Sequence, residues 1–219
     1  DSLVLAAAPL DPRTLEAEFP QGFARERVLR WNEARGAVEA FEERRFGAIV
    51  IERRSVPVQP ADALPALLAA VRSRGLDALP WSEAARRLRL RIQALRGWMP
   101  ELDLPDVSDA RLLATLEDWL APYLQGKRGL DALGAEDLSQ ALAAMLDYGQ
   151  RQQLDAQAPD QWLAPSGQHR QLEYAPDQAP VLAVKLQELF GLTDTPRVGG
   201  GRVPVTLHLL SPAGRPIQM

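Results

Sequence analysis

The chain has 219 residues, 46% of them apolar, with 25 Lys+Arg against 29 Asp+Glu and a net charge of -4. That length suits one large domain or two small ones, and that apolar fraction supports a sizeable core, which excludes a disordered tail. With no Cys and only His169 and His208, the chain has no disulfide framework, thiolate zinc site or cysteine nucleophile and little scope for histidine metal chemistry, and no run of about 18 apolar residues offers a membrane span.

Residues 3 to 10 are apolar but lack a preceding basic region, so they do not read as a signal peptide. Leu3, Val4 and Leu5 predict a strand over residues 1 to 8. The chain opens on Asp1 and stops after a strand-like segment, as a piece of a longer protein would. Asp11 caps a short helix with Pro12 at its first position, closed by Pro20 and Gly22. Residues 23 to 56 predict three antiparallel strands in a meander. Arg27 to Trp31 leads into an Asn32–Gly36 hairpin loop, Ala37 to Phe46 returns, and the run Ala48 to Ile51 after Gly47 closes at Pro57. Residues 57 to 61 read as a linker.

From Asp62 the period becomes helical. Leu64, Leu67, Leu68 and Val71 form one stripe that Gly75 stops. Ser82 caps a second helix with Ala85, Leu88, Ile92 and Leu95 on one face, ending at Gly97 and Pro100. Ser108 caps a third, through Leu112, Leu116, Trp119 and Leu120, and a fourth begins near Gly134 and carries Leu138, Leu142 and Met145. Residues 147 to 168 are polar and read as a linker, 170 to 175 as a strand, and Ala179–Pro180 as the opening of a helix through Val181, Val184, Leu186, Leu189 and Phe190. Residues 203 to 210 predict a strand, and Ile217 the start of another. The fold class is therefore α+β: a β section over 1 to 60, then a second section over 61 to 219 that is helical to about 146 and mixed afterwards.

The charge is uneven. Residues 1 to 100 carry 16 Arg, no Lys and 13 acids, whereas residues 101 to 219 carry 9 basic and 16 acidic residues. The first half is the part suited to phosphate. Arg86, Arg87, Arg89, Arg91 and Arg96 crowd the second helix. Arg86 and Arg87 lie about 100° apart, so the cluster covers most of the exposed helix surface. It either tracks a phosphate backbone or pairs with the acidic second half. On the meander, Arg25, Arg27, Arg30, Arg35, Arg44, Arg45, Arg53 and Arg54 are interleaved with Trp31, Phe41 and Phe46, as a single-strand binder needs: charge for the backbone and rings for the bases. Glu39, Glu42, Glu43 and Glu52 offset part of that charge. The triple glycine 199–201 beside Arg202 is either a turn or a phosphate cradle, and His208 reads as a packed sheet residue. No Walker phosphate loop, acidic ATPase box, GxSxG or HExxH occurs, so the chain should not hydrolyse ATP.

The strings PWSEAARRLRLRIQALR (80–96), TLEDWLAPYLQG (115–126), LDYGQRQQLDAQAPDQWLAPSG (146–167), PVLAVKLQELFGL (180–192) and TPRVGGGRVPVTLHLLSPAGRPIQ (195–218) resemble, in order, the C-terminal region of the bacterial HrpB-type ATP-dependent helicases, relatives of the DEAH-type RNA helicases. The resemblance spans about residues 23 to 219. It implies two RecA-like motor domains upstream, where ATP and magnesium would bind, followed by winged-helix and helical-bundle domains, an OB-like region and a family-specific C-terminal domain. This chain would be the rear of the OB-like barrel, which is incomplete here, plus that last domain. It would carry no catalytic residue, cofactor or metal site of its own and would be cytoplasmic. The implied role is to line or brace the channel for single-stranded RNA or DNA, with Arg44, Arg45, Arg53, Arg54, Arg86, Arg87, Arg89 and Arg91 meeting phosphate and Trp31 and Phe41 stacking on bases. The alternative is a protein-interaction module that uses the acidic second half.

Overall fold

The computed structural model describes residues 11 to 211. The expected strand at 1 to 8 and the strand start at Ile217 lie outside the described residues. The fold is α+β. It divides into two compact units: the residues up to Ala70 together with Gln125–Ala132, and Val71–Leu124 together with Leu133 onward.

In the first unit, helix α1 (Pro12–Glu18) starts as its sequence dictates. The Asp11 side chain accepts from the Arg13 backbone N–H, and Pro follows at the first position. Strands β1 (Phe23–Asn32), β2 (Ala37–Phe46) and β3 (Ile49–Val56) pair antiparallel in the order β1-β2-β3. The register places Arg25 opposite Arg44, Glu26 opposite Glu43, and Glu43 opposite Arg53. The β1–β2 loop ends on Gly36, whose φ of 57° only glycine adopts freely. A bulge falls between Arg44 and Arg45. The three strands form an open sheet, with no closed barrel among the described residues. Residues 125–132 return to this unit: Val38 donates its backbone N–H to Arg128 O at 3.0 Å, and Ala37 bridges Gly129. Helix α2 (Pro60–Arg74) carries the chain from the first unit into the second.

The second unit is built on α3 (Glu83–Trp98), which Ser82 caps by accepting from the Ala85 N–H. The expected third helix exists as three short pieces, α4 (Asp109–Ala114), α5 (Leu116–Trp119) and α6 (Ala121–Leu124). The interruption follows Thr115, whose hydroxyl donates back to Arg111 O. The four-residue spacing of Leu112, Leu116, Leu120 and Leu124 survives the break, and all four are fully buried. Helices α7 (Asp137–Ala144) and α8 (Tyr148–Gln157) follow, and Ile92, Leu95, Leu138, Leu142 and Leu154 join the same core.

Residues 147–168 are therefore not a linker. Asp147 and Gln150 close a reciprocal capping box that starts α8, and β4 (Gln161–Leu163) comes next. The segment expected as a helix from Pro180 is also corrected. Val181–Lys185 forms strand β6, and Leu186–Leu189 a single 3-10 turn. In β6 burial alternates with period two, Leu182 and Val184 being fully buried. A short apolar run with β-branched residues satisfies either pattern, and here pairing with neighbours decides. The sheet order is β4-β5-β6-β9, with β5 (His169–Glu173) antiparallel to both β4 and β6. Strand β9 (Thr206–Leu210) lies parallel to β6. Parallel pairing requires a crossover, and the intervening residues supply it, including the small hairpin of β7 (Arg197–Val198) and β8 (Val203–Pro204). His208 is exposed on β9 instead of packed.

Candidate nucleic-acid surfaces

The ten residues singled out for nucleic acid fall on two elements, the three-stranded sheet and α3, and the structure partners most of their charges. Strand alternation sends the sheet residues to opposite faces. One face holds Arg25, Glu42, Arg44, Glu52 and Arg54 around a shallow hollow of about 140 Å³. Arg44 pairs with Glu16, lies 4.0 Å from Glu52, and places its guanidinium 5.0 Å from the Phe23 ring centre. Arg54 pairs with Glu42 at 3.3 Å. Arg25 is exposed and has no hydrogen-bond or ion-pair partner among the described residues.

The opposite face is organised by Glu43, which is completely buried. A buried carboxylate needs compensating charge. Three arginines supply it: Arg53 at 2.9 Å, Arg30 at 3.2 Å and Arg45 at 3.3 Å. Arg45 also reaches Glu26 at 3.1 Å, and Arg53 sits 5.5 Å over the Phe41 ring. Phe41 is half-buried beneath that guanidinium, and Trp31 is half-buried as well. The glutamates that the sequence interleaves with the arginines are thus their partners across the sheet.

On α3 the five arginines separate by face. Arg87 and Arg91, one turn apart, point the same way. Arg87 pairs with Asp160 at 3.2 Å and Glu83 at 3.6 Å. Arg91 is 8% exposed, donates to Ala158 O at 2.6 Å and pairs with Asp155 at 2.7 Å. Arg89 donates to Val107 O at 2.7 Å, pairs with Asp109, and covers the Trp81 ring at 5.5 Å. Arg96 donates to Leu104 O at 3.1 Å. Only Arg86, among these five, is exposed without any partner in the described residues.

The triple glycine is a turn. Its residues have φ of 59°, 65° and 79°, and Gly199 and Gly200 spend their N–H groups on Gln157 O and Oε1, both at 2.7 Å. A Cβ at Gly199 would come within 3.2 Å of the Trp98 ring. Arg202 donates to Trp98 O at 2.8 Å and pairs with Glu101, which holds the Glu101 carboxyl below its ordinary value. No group of three or more metal-ligating side chains occurs among the described residues, nor is any of their helices long and apolar enough to cross a membrane.

Residues that sequence reasoning did not single out include Asp77, Trp81 and Gln93, which line one hollow with Arg86, Arg89 and Leu90. No motif marks them. Only the helical spacing of 86, 90 and 93 hints that these three share a face.

Residues 119–219 match a family model described as the C-terminal region of ATP-dependent helicases of the HrpB type. The full chain is 37% identical over 220 residues to the ATP-dependent RNA helicase HrpB of Escherichia coli (strain K12), covering 100% of this chain and 27% of that protein. Its fold resembles the crystal structure of the E. coli DExH-box NTPase HrpB, with a TM-score of 0.73 and 36% identity over 96% of this chain and 26% of the other. It also resembles a crystal structure of the E. coli DEAH/RHA helicase HrpB, with a TM-score of 0.71 and 35% identity over 91% of this chain and 25% of the other. The chain spans about a quarter of the length of these relatives.

Proposed function

Because this chain belongs to the HrpB family of ATP-dependent helicases, as its C-terminal region, we propose that it is a non-catalytic section of such an enzyme and meets the single strand on which the motor acts. ATP and magnesium belong to the motor portion, and the open sheet is the rear of an OB-like region that further strands complete. The observation that carries the strand-binding reading is the sheet face of Arg25, Arg44 and Arg54. Three guanidinium groups share one hollow lined by two carboxylates, Glu16 reaches Arg44 as a third, and Arg25 alone of the three has no partner among the described residues. A phosphate entering there meets one free cation and two that can trade a half-exposed or exposed glutamate for it. Arg45 and Arg53 are positioning residues that hold the buried Glu43 and thereby the sheet. Arg87, Arg89 and Arg91 hold α3 against its neighbours, which leaves Arg86 as the free cation of that helix among the described residues.

The test is fluorescence anisotropy of labelled single-stranded RNA and DNA titrated with the chain at two salt concentrations. Binding should weaken with salt, and Arg25→Glu combined with Arg54→Glu should weaken it further. The logarithmic salt slope should fall by about 0.7 for each arginine–phosphate pair removed. Absence of binding at low salt, or binding unchanged in the double variant, overturns the reading and turns attention to a protein partner.

A further inference from the structure

The hollow beside α3 has features that the charged sheet lacks. It is about 220 Å³ in volume and lined by Asp77, Trp81, Arg86, Arg89, Leu90 and Gln93. Its walls are fixed. The Trp81 indole donates to Leu76 O at 2.8 Å, lies 6.4 Å from the Trp119 ring in a near-parallel stack, and is covered by Arg89, which is itself held by Val107 O and Asp109. Leu90 adds an apolar surface. Three polar side chains facing this space are unspent: neither the Asp77 carboxylate, the Arg86 guanidinium nor the Gln93 amide has a hydrogen-bond or ion-pair partner among the described residues. In a helix where every other arginine is engaged, an anion and a cation lining one hollow without closing on each other are an unfilled pair.

We infer that this hollow is a guanine-binding pocket. A carboxylate accepts two parallel hydrogen bonds only from a group that presents two adjacent N–H donors. Guanine does so with N1–H and N2–H₂, and it presents O6 and N7 as a pair of acceptors that an arginine fork matches. Asp77 takes the first edge and Arg86 the second, with Gln93 completing the set and Leu90 and the Trp81 edge contacting the ring. Adenine places the N1 acceptor against Asp77 and offers no O6 to Arg86. Uracil and cytosine lack N7. A wrong base leaves these hydrogen bonds unmade, and because water can satisfy the exposed Asp77 and Arg86 the resulting discrimination is moderate. Recognition of an unstacked base along its Watson–Crick and Hoogsteen edges is how single-stranded RNA is read in sequence.

The inference deepens the strand-binding reading and rests on it where the guanine belongs to a strand. The same chemistry would take a free guanine nucleotide, and the experiment separates the two sources. The 219-residue chain is titrated with GMP and with AMP by calorimetry. It is titrated in parallel with labelled U-only oligonucleotides and with the same strand carrying central guanines or adenines, by anisotropy. The expected result is roughly ten-fold or tighter binding of the guanine oligonucleotide relative to the adenine one. Asp77→Asn and Arg86→Ala should each reduce that preference to about two-fold or less, and Asp77→Asn should leave the affinity for the U-only strand within about three-fold. Both positions are exposed, so an unchanged thermal transition separates this effect from misfolding. If all strands bind equally and GMP does not bind, the pocket is overturned while the charged surface stands. If GMP binds with Asp77 dependence and no strand binds, the strand reading fails and the pocket stands as a nucleotide site. A guanine preference that survives in Asp77→Asn also overturns the assignment.

Discussion

Arg91 lies in the middle of the arginine cluster, yet the geometry makes it a core residue, and replacing it tests that distinction. Its Nε donates to Ala158 O at 2.6 Å, and both residues are buried, Arg91 at 8% and Ala158 at 0% exposure. Methionine keeps most of the stem's packing but removes the donor. The loss of a charge-assisted hydrogen bond together with an orphaned buried carbonyl costs about 1.5–3 kcal/mol. The second contact, to Asp155 at 2.7 Å, adds at most about 1 kcal/mol, because that carboxylate is 77% exposed and screened. Arg91→Met should therefore destabilise the second unit by about 2–3 kcal/mol, a drop in Tm on the order of 5–10 °C. Arg91→Lys, which keeps the charge but not the fork, should fall between. Urea unfolding followed by tryptophan fluorescence reads this unit selectively, since Trp81, Trp98, Trp119 and Trp162 lie in it and only Trp31 lies in the other. Oligonucleotide affinity of the folded variant should be unchanged. Stability within about 0.5 kcal/mol of the parent, the range of an ordinary surface substitution, with a loss of strand affinity, would refute the reasoning and return Arg91 to the phosphate path.

Other consequences follow from buried or capped groups. Burial pushes the Tyr174 phenol, which donates to Pro159 O at 2.6 Å, above its ordinary value. The folded chain then keeps a proton that the unfolded chain releases above about pH 10, so urea midpoints should fall as pH rises beyond that point, and Tyr174→Phe should flatten the slope. The side chains of Arg202, Arg72 and Arg170 hold the carboxyls of Glu101, Glu117 and Glu188 below their ordinary value. The stability these carboxylates contribute is present above about pH 4.3 and disappears as pH falls through their lower folded values. An acid titration of the unfolding midpoint should show that decline, with a shallower slope in Glu188→Gln. Asp147→Ala removes the α8 capping box and should cost about 1 kcal/mol in the same urea assay.

Local pattern explains the first part of the fold well. The meander was legible because β-branched and aromatic residues alternate with charge and because the loop ends on a glycine that needs positive φ. The caps at Asp11, Ser82 and Ser108 were legible because each is a short acceptor followed by helical periodicity. The errors share one physical origin. Val181 to Leu189 offers apolar residues at both strand and helix spacing, and only the partners Leu172 and Thr206 to Leu210 select the strand. The polar run from Asp147 to Gln157 has one core residue, Leu154, so its helix rests on a capping box that composition hides.

The candidate site shows the same limit more sharply. Helical spacing separates Arg87 and Arg91 from Arg86 by about 100° or more, but it does not say which side meets acid. Asp155 and Asp160, more than 60 residues downstream, stand on the Arg87–Arg91 side and consume those charges. On the other side Arg89 is taken by Asp109, and Arg86 and Gln93 remain, lining one hollow with Asp77. Counting arginines therefore overstates the free charge of α3, since its neighbours hold four of the five cations. What the fold leaves available there is one cation, one anion and one amide around a rigid indole. That set is poor for tracking a phosphate chain, where the anion repels, and well matched to a base whose edges carry both donors and acceptors. The sheet offers the reverse: three guanidiniums around one hollow and no unpaired carboxylate among its lining residues. Strand affinity and base preference should accordingly respond to different substitutions, Arg25 and Arg54 for the first, Asp77 and Arg86 for the second.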